Sequence, residues 1–400
     1  MQVKENLEAG QSDKAATEHA KLAGSPAKEP ATGDAPRDKA SSAPRAGAQP
    51  ERGFVAVSRS EIGADRWNAF AEKSPSAWLW HRYDLSEIWG EWNKREDKSF
   101  ALISRSNSEI VATVPTFLDG GRIAKWFPWN SLHVLGGPAI DPQVPRKMRT
   151  EVCETIAQHL ETMARANQVQ EVKYSLAPMT PNIRGEACPR INPLWEFGCA
   201  NAVGQTWVCD LRKSKDDLWR GIGKGAKSSI SKAQKLGVQV RQANGSADLD
   251  AYYRLHCETY SRTGKGADPR VHFEMIWKNF VDRKLAVVFL AEHEGAVVGA
   301  AKLAVYKKGA WYWTGGSNAA GLNAGANALI QWHAIQWMVD NGVEWYEVGE
   351  AHLGLKNNKL KQISDFKKDF GGELYPLFKG TIDTKTRLGR TLALLKDFRG

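Results

Sequence analysis

The run ISDFKKDFGGEL, Ile363 to Leu374, sets Phe366, Lys367, Lys368 and Phe370 beside a glycine pair, Gly371-Gly372. A lysine ammonium fixed in such a cluster can stabilise negative charge as it develops on an oxygen. Losing one such donor typically raises a barrier by about 3 kcal/mol. Upstream, YEVGE carries Glu347 and Glu350 at a strand end, and either carboxylate could accept a proton. Side chains alternate along a strand, so at most one of the two is expected to face a given pocket. Glu350, where the strand gives way to a loop, is the better placed, and His352 is a second acceptor. Both features also have a structural reading: a helix stopped by Gly371 and a solvated strand-end carboxylate.

Two similar sets of elements would position these groups. In the first half, SPSAWLWHRYDLSEIWGEW has Leu85, Ile88, Trp89 and Trp92 at helical spacing. The strands SFALISR, IVATVPTFL, IAKWF and LHVLGGPAI follow. Next come a helix from about Arg146 to Ala166, with Val152, Ile156, Leu160 and Met163 on one face, and the strand VQEVKYS. In the second half, two helices precede the strands of LAVVFLAEHEGAVVGAAKLAVYKKGAWYWTGG, then a helix near Ala324–Val339 and the strand VEWYEVG. VLGGP answers to WTGGS, and RANQVQEVKY to VDNGVEWYEV, with one long helix between the members of each set. The shared order reads as a duplicated β-β-β-α-β unit. The expected architecture is α/β (α+β): two tandem domains, 53–200 and 201–380, each a mixed antiparallel and parallel sheet flanked by helices. A disordered tail is expected over 1–52, which holds almost no large apolar residue, and a C-terminal helix over 381–400.

Composition narrows the function classes. No apolar run approaches the roughly 20 residues that cross a bilayer, and the N-terminus lacks the apolar core of a secretory signal. The 5 cysteines form no CxxC pair, which suits neither a zinc site nor a disulfide framework and points to a reducing cytoplasm. No metal is expected. The net charge of +10 points to an anionic partner, a phosphorylated substrate, a nucleic acid or a membrane surface. A general nucleic-acid binder rests on that charge alone, without a supporting motif.

The chain resembles the Fem family of aminoacyltransferases and the related BioF2-like acyltransferases of the GNAT fold, which include members from exopolysaccharide gene clusters. PSAWLWHRYDLSEIW, GKGAKSSISKAQKLGVQV, the segment from Gly315 to Glu350 and ISDFKKDFGGEL carry the likeness, in that order. The resemblance implies two GNAT-like domains. In that fold two strands splay apart beside a helix N-terminus, and here the gap of the second domain, 201–380, would hold the acyl donor. The resemblance places Phe366 and Lys367 at the reaction centre. The strand-end position of Glu350 makes it the candidate base beside them, and the helical turn of about 100° leaves Lys368 solvated. Gly315, Gly316, Ser317, Asn323, Gly325 and Asn327 would line the donor pocket. Leu322 stands where coenzyme A enzymes carry Arg or Gln. Lys224, Lys227, Trp313 and Gln331 would meet the substrate.

The expected activity is transfer from an acyl-CoA to an amine or hydroxyl of a saccharide or lipid-linked envelope precursor, with exopolysaccharide as one setting. An alternative is an aminoacyl-tRNA donor and a peptidoglycan precursor, for which the partner would be tRNA. A further alternative is a non-catalytic scaffold for saccharide assembly. The apolar Leu388, Leu392 and Leu395 among basic residues suggest packing against the second domain, with a peripheral contact at the inner membrane as the alternative. The oligomeric state is left open.

Overall fold

A computed structural model describes residues 53–93, 95–124, 127–262, 264, 266–354 and 359–384. The tail expected over 1–52 and the C-terminal helix beyond 384 lie outside the described residues. Residues 381–383, counted with that helix above, close a strand instead.

The chain opens with β1 (Phe54–Ser58), α1 (Ala64–Lys73) and α2 (Tyr83–Asn93). The short β2 (Glu96–Asp97) precedes β3 (Phe100–Ser104) and β4 (Ile110–Val114), then β5 (Thr116–Ala124), β6 (Phe127–Gly136) and β7 (Ala139–Ile140). IVATVPTFL is two strands, not one. Pro115, which cannot donate to a ladder, separates β4 from β5. β4 joins a four-stranded sheet of order β1-β3-β4-β7, and β5 joins the main sheet. α3 (Arg146–Ala166) buries Val152, Cys153, Ile156, Leu160 and Ala164, a stripe at helical spacing. It leads into β8 (Val169–Leu176), which pairs parallel with β6.

The second half holds β9 (Ala200–Asp210), α4 (Lys224–Lys235), β10 (Gln239–Gln242), α5 (Gly245–Arg262) and α6 (Arg270–Ile276). Then follow β11 (Ala286–His293), β12 (Ala296–Tyr306) and β13 (Gly309–Ser317) as an antiparallel meander. α7 (Ala326–Asp340), β14 (Trp345–Glu350), α8 (Lys359–Lys368) and β15 (Glu373–Asp383) complete the order. β14 runs parallel to β13, so β6-α3-β8 and β13-α7-β14 are the same crossover used twice. α7 is apolar nearly all round and is correspondingly buried, between the sheet and α4.

One sheet of eleven strands, ordered β10-β11-β12-β13-β14-β9-β15-β8-β6-β5-β2, runs through both halves. β15 is the splice, because it pairs antiparallel with β9 on one side and β8 on the other. The two sides of the sheet differ in chemistry. Tyr346, Ala310 and Phe289 face the apolar core with α7 and α4. Register places Glu347, Thr206, Lys379 and Lys173 together on the opposite side.

Candidate active site

The site grows from a gap in the sheet. β13 and β14 pair only at Gly309–Trp345, Ala310–Tyr346 and Trp311–Glu347, and then diverge. Glu347 is therefore the last paired residue of β14 before the gap. Its carboxylate is 7% exposed and accepts a hydrogen bond from Thr206 Oγ1 at 2.9 Å. Burial raises its pKa to about 7, opposed by the Thr206 bond and by nearby Lys367, and assisted by the negative charge of Glu350.

Glu350 follows on the same side, which corrects the expectation that the two carboxylates point opposite ways. The register of β14 against β9 slips between Glu347 and Gly349, where Gly349 has φ 121°. That bulge inserts one residue, Val348, and turns a spacing of three into one that shares a face. Glu350 pairs in register with Thr206, whose hydroxyl reaches Glu347. Glu350 Oε1 accepts from Lys379 Nζ at 2.9 Å, an ion pair reaching from β15.

α8 delivers the lysine. Ile363, Phe366, Lys367 and Phe370 recur at three and four, and Lys361 pairs with Asp365 at 2.6 Å one turn on. Phe370 is buried and meets Phe366 edge to face at 5.1 Å, which fixes the helix against the core. Lys367 is thereby driven inward. It is 2% exposed, and its Nζ donates to the Glu350 carbonyl oxygen at 3.3 Å. Lys368 is exposed. The glycine pair ends the helix where nothing larger fits. Gly371 has φ 82°, and a Cβ there would stand 3.0 Å from the Gly221 carbonyl oxygen. Between them, Asp369 lies on the N-terminus of α4, where the Gly223 amide donates to the Asp369 carbonyl at 2.7 Å.

The other expected site residues scatter. Gly315 and Gly316 are closed in by Tyr312 and by Thr259 of α5. A Cβ on Gly325 (φ 80°) would stand 2.6 Å from the Ser229 carbonyl oxygen of α4, so helix packing already requires glycine there. Ser317 is buried and accepts from Asn327 Nδ2 at 3.1 Å, while Asn323 is exposed. Lys224 is exposed, and Lys227 donates to the Arg220 carbonyl at 3.1 Å. His352 holds Ser364 of α8 through its backbone amide at 3.1 Å. Gln331 and Trp313 lie on opposite sides of the sheet. Gln331 accepts from Tyr346 Oη at 2.6 Å in the α7 core. Trp313 stacks on Trp311 at 5.6 Å and covers the buried Lys302 ammonium at 4.1 Å. Burial pushes the Lys302 pKa down to about 7 against the pull of Asp268.

Thr206 and Lys379 were missed by sequence reasoning. Neither lies in a motif, and they meet Glu347 and Glu350 across separations of 141 and 29 residues. Among the described residues, no three His, Cys, Asp or Glu side chains gather as a metal site, and no helix is long and apolar enough to cross a membrane.

Residues 223–362, which include α4, the gap and the start of α8, match the family model described as an acetyltransferase (GNAT) domain. The chain is 28% identical over 177 residues to the UDP-N-acetylmuramoylpentapeptide-lysine N(6)-alanyltransferase of Weissella viridescens. That match covers 42% of this chain and 51% of the relative, so the chain spans about half the length of the curated protein it matches. In fold it is similar to the crystal structure of FemX, with TM-score 0.64, 14% identity, and coverage of 85% of this chain and 99% of that one. It is also similar to a tandem GNAT protein from the clavulanic acid biosynthesis pathway, with TM-score 0.50, 12% identity, and coverage of 84% and 99%. Sequence and fold together show a chain of GNAT architecture that is similar to Fem proteins.

Proposed function

We propose that the protein is a Fem-type aminoacyltransferase. It would move an amino acid from a charged tRNA to an amine of a peptidoglycan precursor. The observation that carries this reading is Lys367, buried at the sheet gap beside Glu350 in the Phe-Lys-x-x-Phe-Gly run that the Fem resemblance makes the reaction centre. The alanyltransferase likeness supports an aminoacyl group and a muramyl-peptide amine, and the net charge of +10 suits an RNA ligand. The acyl-CoA donor expected first has less behind it: Leu322 replaces the basic or amide residue of the coenzyme signature, and Gly325 is filled by α4.

The chemistry asks little of the site. Attack of the amine on the ester carbonyl puts negative charge on the carbonyl oxygen. A preorganised ammonium in a dry site stabilises that charge far better than water does. Phe366 would cover the reacting group, and Lys224 and Lys227, at the mouth of α4, would meet phosphates. The setting is the cytoplasmic side of envelope synthesis.

Thermal melting of the full chain with charged tRNA, acetyl-CoA and longer acyl-CoAs tests the donor. A ligand at 100 times its dissociation constant adds about 2.7 kcal/mol of stability. The expected result is a shift with charged tRNA. A shift with an acyl-CoA alone would reinstate the first expectation, and no shift with any donor would favour the non-catalytic scaffold.

A further inference from the structure

We infer that Glu347 is the proton acceptor of the transfer, and that Glu350 is a positioning residue for Lys367. This rests on the aminoacyltransferase reading above. Four observations separate the two carboxylates. Glu347 is the last paired residue before β13 and β14 part, so its side chain borders the gap. Its carboxylate accepts a hydrogen bond from a neutral hydroxyl, that of Thr206. Glu350 is committed to Lys379 at 2.9 Å, and its main-chain carbonyl holds Lys367 at 3.3 Å. Finally, burial lifts Glu347 to a pKa of about 7, where a carboxylate both takes and returns a proton near neutral pH.

The groups facing Glu347 are Thr206 from β9, Lys367 from α8, Glu350 from its own strand and the Trp311 ring from β13, with Lys379 of β15 behind Glu350. Two cations thus balance two carboxylates.

The step closes. The neutral amine nitrogen attacks the ester carbonyl carbon, and a C–N bond forms. Its N–H proton passes to the Glu347 carboxylate. The C–O bond to the ribose breaks, and Glu347 returns the proton to the departing oxygen. No oxidant, reductant or further reactant takes part.

The test is kcat and KM against pH for the full chain, with charged tRNA and an amine-bearing muramyl peptide, as wild type, E347Q, E347D and E350Q. Wild type is expected to lose rate as pH falls below about 7, the limb a base of that pKa produces. E347Q should lose about 10²-fold in kcat with little change in KM, and its acid limb should vanish. E347D should restore part of the rate together with the limb. E350Q should be slower yet keep the limb, since it changes the hold on Lys379 and not the proton acceptor. Near wild-type kcat in E347Q, or a limb that vanishes with E350Q instead, overturns the inference alone. No transfer by wild type from any charged tRNA overturns the functional reading, and this inference with it.

Discussion

Lys367 is charged chemistry placed inside a protein, and it stays there because its surroundings answer it. Its ammonium donates to the Glu350 carbonyl, and two carboxylates lie nearby. Lys367→Met keeps the length of the side chain and removes the charge. It should lower kcat by about 10²–10³-fold, as expected of a lost oxyanion donor, read by turnover against wild type. Glu347 makes a pH prediction of opposite character. Its folded pKa of about 7 lies above the ordinary glutamate value of 4.5. Between those values the folded state holds a proton that the unfolded state has released, so folding stability from this group falls as pH rises through that window. Glu347→Gln removes the penalty. The melting temperature of the variant relative to wild type should climb from pH 5 to pH 8, and a flat difference across that range would contradict the assignment of a buried, raised carboxylate.

At the scale of elements, α8 is held at its C-terminal end. Phe370 anchors it in the core, and Gly371 turns it against Gly221. Gly371→Ala adds a methyl 3.0 Å from a backbone oxygen at φ 82°. It should destabilise by about 1–2 kcal/mol and disturb Lys367 with it, measured as a lowered denaturation midpoint together with lower activity. Much of this was legible in the sequence. The three-and-four spacing in ISDFKKDFGG, the apolar face of Arg146–Ala166 and the repeated strand-helix-strand order are local patterns, and local patterns survive into the fold. The side of the sheet that Glu347 faces was not legible. Strict alternation separates Glu347 from Glu350, and only the bulge at Val348, a property of how β14 meets β9, rejoins them. Thr206 and Lys379 were hidden for the same reason, because sheet register supplies them from far along the chain.

At the scale of the molecule, one continuous sheet joins halves that look alike. We propose that the division near residue 200 marks a duplicated unit, on the strength of the matched crossovers around α3 and α7. Contacts between the halves include Lys307, whose ammonium donates to the carbonyls of Ala71 in α1 and of Ser74 and Ala77 just after it, at 2.5, 2.6 and 3.2 Å. Trp78 Nε1 adds a bond to the Tyr306 carbonyl at 3.0 Å. Lys307→Met strips the charged donor from three carbonyls and should cost about 2 kcal/mol or more, seen as a lowered melting temperature. The central claim joins all three scales: the gap, the bulge and α8 bring one lysine and two carboxylates together for aminoacyl transfer. The measurement that tests it most directly follows a radiolabelled amino acid from charged tRNA onto an amine-bearing muramyl-pentapeptide nucleotide, with wild type and Lys367→Met side by side. The account predicts label in the precursor with wild type and almost none with the variant. Equal labelling by both proteins would contradict it.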